Sequence, residues 1–277
     1  MALATAACSR AAFLAVNIPA AFGEYTRHAD LSYGPGEAHQ LDVYEPTTPS
    51  SGPRPLVVFW YGGRWTTGDK SDYRFVGAAL AGAGYVVVVP NYRHFPEVKL
   101  AGFMADAAEA AQWAAEHGAE FGADPRRMIL MGHSAGAHMA ALLTLDTRYL
   151  LATGRPPPAI AAMVGLSGPY DFLPLTDTDL EIMFGPPENY PNSQPIDFVR
   201  AGAPPMLLIQ GLADESVAPK NSINLAAALR AKGVSVTLRL YPHSKHADTV
   251  AALSIPARAR APTLADTVAF VSRTRSS

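Results

Sequence analysis

The chain contains a single cysteine, Cys8, so no internal disulfide framework and no multi-cysteine metal site can form. No stretch carries the roughly 18 or more uninterrupted apolar residues of a membrane span. Charge is also scarce. Charged residues make up 17% of the chain and the formal net charge is −2, too little of either sign for a nucleic acid or another polyelectrolyte partner. Apolar residues make up 49%, enough for a sizeable core, and one domain is the expectation for 277 residues.

The first residues, Ala2-Leu3-Ala4-Thr5-Ala6-Ala7-Cys8, resemble the end of a lipoprotein signal, with small residues leading into a cysteine that would be lipidated. The positive start is missing and the apolar run is too short for a signal core, so this segment alone directs no export. The chain as given is expected to be cytoplasmic. If the segment is the remnant of a longer signal, the expectation becomes a periplasmic protein or one anchored to lipid through Cys8. Residues 1–30 are set apart on these grounds, as a signal remnant or a loose start, from a domain over 31–277.

From Leu31 onward, apolar runs rich in β-branched residues alternate with helical patterns. That alternation predicts an α/β fold, a mostly parallel sheet with helices on both faces. Leu31–Tyr33 and Leu41–Tyr44, around Gly34-Pro35-Gly36, predict an antiparallel hairpin at the sheet edge. Strands are expected at Pro55–Trp60, Tyr85–Val89, Met128–Met131, Ala161–Leu166, Pro205–Gln210 and Ser235–Leu240, for eight in all. Helices are expected near Asp72–Ala81, Phe103–Phe121, Ala135–Leu145, Ser222–Ala231 and Thr263–Arg273. The Pro-rich stretch 168–204 is long for a connection and predicts a small lid, with a short helix at Asp179–Phe184.

Chemistry first shows in Gly132-His133-Ser134-Ala135-Gly136, where an apolar strand runs into a small-residue turn and then a helix. A serine on such a turn is lifted clear of the sheet, and the helix N-terminus brings amide N–H groups and positive dipole to a developing oxyanion. Ser134 is therefore the candidate nucleophile. His133 and His138 flank it, but their spacing and the lack of neighbouring acids or cysteines speak against a metal site. Gly62 and Gly63, at the end of the first long strand, suit backbone donors to an acyl oxygen; with Ala135 they are the candidate oxyanion hole. Tyr61 and Trp65 beside them, with Phe172 and Phe184 on the lid, are the candidate pocket residues.

The acid and the base follow in the order this turn requires. Asp214 sits on the loop after Met206–Gln210, with Glu215 and Asp248 as competing acids, Asp248 also reading as a helix N-cap. Two histidines follow the last strand. His246 lies further out on its loop than His243 and is the favoured base, able to take the proton of Ser134 and deliver it to a leaving alcohol.

With these residues placed, the sequence resembles the α/β-hydrolase esterases of the hormone-sensitive-lipase-like and kynurenine-formamidase-like branches, from about Tyr33 to Phe270. Tyr61-Gly62-Gly63-Arg64-Trp65, Gly68-Asp69-Lys70, Tyr85 to Arg93, Gly132 to His138, Asp214 and His246 carry the resemblance. It implies the α/β-hydrolase fold and a cofactor-free serine hydrolase with the triad Ser134, Asp214 and His246. The departure is Tyr61, where related loops commonly place histidine. Three functions are weighed. The first is a serine carboxylesterase for short- to medium-chain carboxylic esters. The second is an arylformamidase, suggested by His133, His138 and Trp65. The third is a non-catalytic binding or adhesion protein, supported by Tyr61 alone.

Overall fold

A computed structural model describes residues 13–274, so the expectations attached to Cys8 lie outside the described residues. The eight expected strands form one sheet: β1 (Tyr25–Ser32), β2 (Gln40–Pro46), β3 (Arg54–Trp60), β4 (Val86–Pro90), β5 (Ala123–His133), β6 (Ile160–Leu166), β7 (Met206–Gly211) and β8 (Val236–Tyr241). Their spatial order is β1-β2-β4-β3-β5-β6-β7-β8. Only β1 with β2 and β2 with β4 pair antiparallel; every later pair is parallel. Parallel strands need crossovers, and helices supply them. The main ones are α1 (Arg74–Gly82), α2 (Leu100–His117), α3 (Ala135–Leu145), α4 (Thr178–Phe184), α5 (Lys220–Ala231) and α6 (Thr263–Arg273).

The central strands are buried on both faces, and their sequences are correspondingly apolar without alternation. Helix α3 is buried all round, which suits its Ala- and Leu-rich sequence, because it packs on β3, β5 and β6 and is covered by α2 and the 195–198 turn.

Strand β1 begins at Tyr25, so the sheet reaches back into the segment set apart as 1–30, and Phe13, Val16 and Ala20 also pack against the core. The sequence shows only the end of this strand, expected at Leu31–Tyr33, because Tyr25–Ser32 is a polar edge strand, interrupted by a register shift between His28 and Leu31. At the shift Asp30 turns to φ 58°, and its N–H donates to Asp42 Oδ1 at 3.1 Å. Asp42 is fully buried between Arg27 at 2.7 Å and Lys70 at 2.7 Å, and this cluster ties the edge hairpin to the loop that follows β3. Among the described residues no helix is long and apolar enough to cross a membrane.

Candidate active site

Every candidate catalytic group lies where the parallel strands end at their C-terminal edge, as expected of open α/β sheets. Ser134 links β5 to α3 at φ 54° and ψ −120°, a conformation L-residues rarely adopt. Such strain costs on the order of 1–3 kcal/mol and needs support from its surroundings. Support comes from both sides of the turn. Ser134 N–H donates to Leu166 O at 2.9 Å on β6, and Ser134 O accepts from His138 N at 3.1 Å as the first bond of α3. Gly136 is required by close approach, since a Cβ there would lie 2.0 Å from Trp60 O.

The loop after β8 carries His246 over this serine. Its Nε2 is 2.9 Å from Ser134 Oγ, and its Nδ1 is 2.8 Å from Asp214 Oδ2. Asp214 is completely enclosed at its carboxylate, while the imidazole keeps about a fifth of its surface open to the cleft. Burial pushes the Asp214 carboxyl up, but bonds from His246 and from the N–H groups of Val217 and Ser216 outweigh it and hold the group below the usual carboxylate range. Asp214 therefore stays ionised beside the imidazole. The competing candidates sit elsewhere. Glu215 is exposed, Asp248 accepts from Lys245 N at 2.8 Å and pairs with Arg260, and His243 is exposed.

One supporting residue escaped the sequence. Gln210, the last residue but one of β7, donates from Nε2 to Asp214 Oδ2 at 2.9 Å and is itself fixed by Ser222 Oγ at 3.0 Å. A glutamine ending an otherwise apolar strand, four residues before the acid, was the available signal.

The two flanking histidines have structural partners. His133 donates from Nε2 to His246 O at 3.2 Å, holding the backbone of the residue over Ser134. His138 donates from Nε2 to Ser193 O at 2.7 Å, fastening α3 to the lid. Burial drives the His133 imidazole down to about 3, with His246 nearby adding to the shift, and burial drives His138 down to about 4. Both are neutral at pH 7. Among the described residues no three His, Cys, Asp or Glu side chains gather as metal ligands.

Gly62 and Gly63 run against the serine turn. A Cβ on Gly62 would stand 3.0 Å from Ser134 Cβ, and Gly63 has φ 137° with Thr67 O where a side chain would begin. The Gly63 carbonyl accepts from Thr66 N and Thr67 N, curling the loop so that Arg64 and Trp65 also take left-handed conformations. Ala135 is the first residue of α3, where backbone N–H groups have no intrahelical acceptor. Gly62, Gly63 and Ala135 line one cleft with Ser134 and His246, with a cavity volume of about 960 Å³.

Trp65 and Phe172 line that cleft; Tyr61 and Phe184 do not, which corrects two of the four pocket candidates. Tyr61 is fully buried behind the loop, stacked on Tyr73 and Tyr92 with centroids 5.4 and 4.8 Å away, and its hydroxyl donates to Asn91 Oδ1 at 3.1 Å. Phe184 sits behind Trp65 and Phe172 rather than at the surface of the cleft. Arg64, given no role of its own by the sequence, lines the cleft and pairs with Asp177, the N-cap of α4, at 2.9 Å.

The family model described as BD-FAE matches residues 41–229, a span that includes β2 through most of α5 and the Ser134 turn. A probable isoprenylcysteine alpha-carbonyl methylesterase of Arabidopsis thaliana is 32% identical over 250 residues, 82% of this chain and 52% of that protein. A probable carboxylic ester hydrolase of Mycobacterium tuberculosis is 28% identical over 228 residues, 76% of this chain and 53% of that protein. The chain thus spans about half the length of these curated relatives. The solved apo structure of esterase 2 from Thermogutta terrifontis superposes with a TM-score of 0.74 at 25% identity, covering 90% of this chain and 94% of that one. With the nucleophile turn, the strand order and this match in agreement, the chain belongs to the BD-FAE family and has the α/β-hydrolase fold.

Proposed function

We propose that the chain is a serine carboxylesterase that hydrolyses short- to medium-chain carboxylic esters through an acyl-enzyme on Ser134. The observation that carries this reading is the unbroken chain from Ser134 Oγ to His246 Nε2 at 2.9 Å and from His246 Nδ1 to Asp214 Oδ2 at 2.8 Å, facing an open cleft. His246 takes the proton as Ser134 Oγ attacks the ester carbonyl, and Asp214 stabilises the imidazolium that results. The tetrahedral oxyanion is bound by backbone N–H groups of the Gly62–Gly63 loop and Ala135. His246 then protonates the leaving alcohol oxygen. Water, deprotonated by His246, then attacks the acyl carbonyl, and a second tetrahedral intermediate, bound by the same amides, releases the acid as His246 returns the proton to Ser134 Oγ.

The relatives named for ester hydrolysis support the ester reading over arylformamidase. Of the features that suggested formamide chemistry, His133 and His138 have their Nε2 atoms committed to backbone carbonyls, and Trp65 lines the cleft as an apolar wall that serves an ester equally. Purified protein is expected to cleave p-nitrophenyl acetate and butyrate and to turn over N-formylkynurenine far more slowly. A fluorophosphonate is expected to label wild type and not Ser134→Ala. Failure to cleave either ester, or wild-type activity in Ser134→Ala, refutes the reading. The methyl ester of an isoprenylcysteine, the substrate in the plant relatives' names, belongs in the same substrate panel.

A further inference from the structure

A second cavity of about 600 Å³ lies behind the lid, lined among others by Leu100, Ala101, Ala105, Met183 and Phe184, and it is separate from the catalytic cleft. Helix α4 stands between the two. Leu180 faces the catalytic cleft, whereas Met183 and Phe184, one turn on, face the second cavity. The Phe184 ring closes the remaining gap. Its centroid is 5.1 Å from Trp65 and 5.7 Å from Phe172, which are themselves 6.3 Å apart, so the three rings make a triangular wall with two members in the catalytic cleft and the third behind.

The chemistry places the leaving group, and the lining places the acyl chain. His246 must hand its proton to the leaving oxygen, so the alcohol lies on the side of His246 and the adjoining Glu215–Lys220 loop. The acyl group is assigned to Trp65, Phe172 and Leu180, the apolar part of the cleft lining, as an acyl chain requires.

We propose that Phe184 sets the upper limit on acyl-chain length, and that the cavity behind it is a latent subsite for the distal methylenes of longer fatty acyl groups. The inference rests on the esterase reading of Ser134. A chain that outgrows the cleft meets Trp65 and Phe172, which the Phe184 ring backs from behind. With the ring removed, Trp65 and Phe172 lose their backing and swing into the vacated space, which opens the cleft onto Leu100 and Met183.

The test is kcat/KM for p-nitrophenyl acetate, butyrate, hexanoate, octanoate and decanoate in wild type, Phe184→Ala, Phe184→Leu and the double variant Phe184→Ala/Ala105→Trp. Each methylene accommodated in an apolar pocket is worth roughly tenfold or more. Phe184→Ala is therefore expected to raise the octanoate-to-butyrate ratio at least about tenfold, with Phe184→Leu shifting it part of the way. Ala105 is exposed on α2 at the rim of the second cavity, so a tryptophan there fills the cavity without disturbing the core. The double variant is expected to return to the wild-type ratio. If Phe184→Ala does not fold, Phe184→Leu decides the question by the same ratio. A wild type active on acetate whose length profile survives loss of the ring overturns the proposal alone. So does a gain that Ala105→Trp fails to reverse. A wild type inactive on every ester overturns both the proposal and the esterase reading beneath it.

Discussion

His133 and His138 make the fold acid-sensitive in a pH range where its carboxylates do not. Their imidazoles lie at about 3 and about 4 in the folded protein, against an ordinary 6.5, because both are buried. A histidine depressed in this way stabilises the folded state only while the unfolded chain is also unprotonated. As pH falls below about 6.5 the unfolded chain takes up protons that the native state refuses, and stability drops until the pH reaches the folded values. Between pH 7 and pH 5 the fall spans about 1.5 units below 6.5, and at about 1.4 kcal/mol per unit each histidine withdraws about 2 kcal/mol. His94, also lowered by burial, adds in the same direction. The depressed carboxylates, Asp214 and Asp106 among them, lose their contribution only as pH falls from their unfolded value near 4 through the folded one, below this window. The perturbation that isolates the effect is His138→Gln, whose side-chain amide keeps a donor for Ser193 O and does not titrate. Urea unfolding at pH 7 and pH 5 is expected to show wild type losing about 4 kcal/mol or more, and the variant about 2 kcal/mol less than wild type. Equal losses in the two proteins refute the reasoning, whatever their absolute stabilities.

Two further outcomes follow from the site and its frame. Asp214→Asn keeps the shape of the acid but leaves His246 in the wrong tautomer, so kcat on p-nitrophenyl butyrate is expected to fall about 10⁴-fold with little change in KM; a loss under tenfold removes Asp214 from the triad. Lys70→Met leaves Asp42 buried with Arg27 as its remaining cation, at a cost of about 3 kcal/mol. The melting temperature is expected to drop by about 6–12 °C in a scan at pH 7, and an unchanged value shows that Arg27 suffices.

What was legible in the sequence was whatever carried a physical pattern of its own. Strands β3 to β8 announced themselves as short apolar, β-branched runs, and the Ser134 turn by glycines that only a tight strand-to-helix passage requires. Asp214 and His246 followed from position after strands rather than from composition. The edge hairpin was found, but Tyr25–Asp30 of β1 was missed because an edge strand with a solvated face has no apolar signature, and its register shift at Asp30 breaks what alternation remains. The lid gave one short helix, found nearly where expected at Thr178–Phe184. The direction of its side chains was not legible. Phe172 lies in a Pro-rich stretch without a period and Phe184 ends a helix of only two turns, so nothing in the sequence assigns one ring to the cleft and the other to the wall behind it.

Tyr61 shows the same limit at the center of the site. The residue replaces the histidine common in related loops, and from sequence it could equally stand in the pocket or beneath it, since Trp60 and Tyr61 close a strand covered on both faces and alternation does not discriminate there. In the fold it lies beneath. Tyr73 and Tyr92 stack on its ring, Asn91 accepts from its hydroxyl, and Asn91 in turn accepts from Lys70 N at 2.7 Å and donates to Asp69 Oδ2 at 2.9 Å. The segments Tyr61–Trp65, Gly68–Lys70 and Asn91–Arg93, separate in the chain, thus form one support under Gly62 and Gly63. Since the oxyanion donors are backbone amides, the loop needs a fixed path rather than a particular side chain. A buried aromatic stack with a satisfied hydroxyl supplies that path as well as an imidazole would, so the substitution at Tyr61 is no argument for a fold that has lost its chemistry.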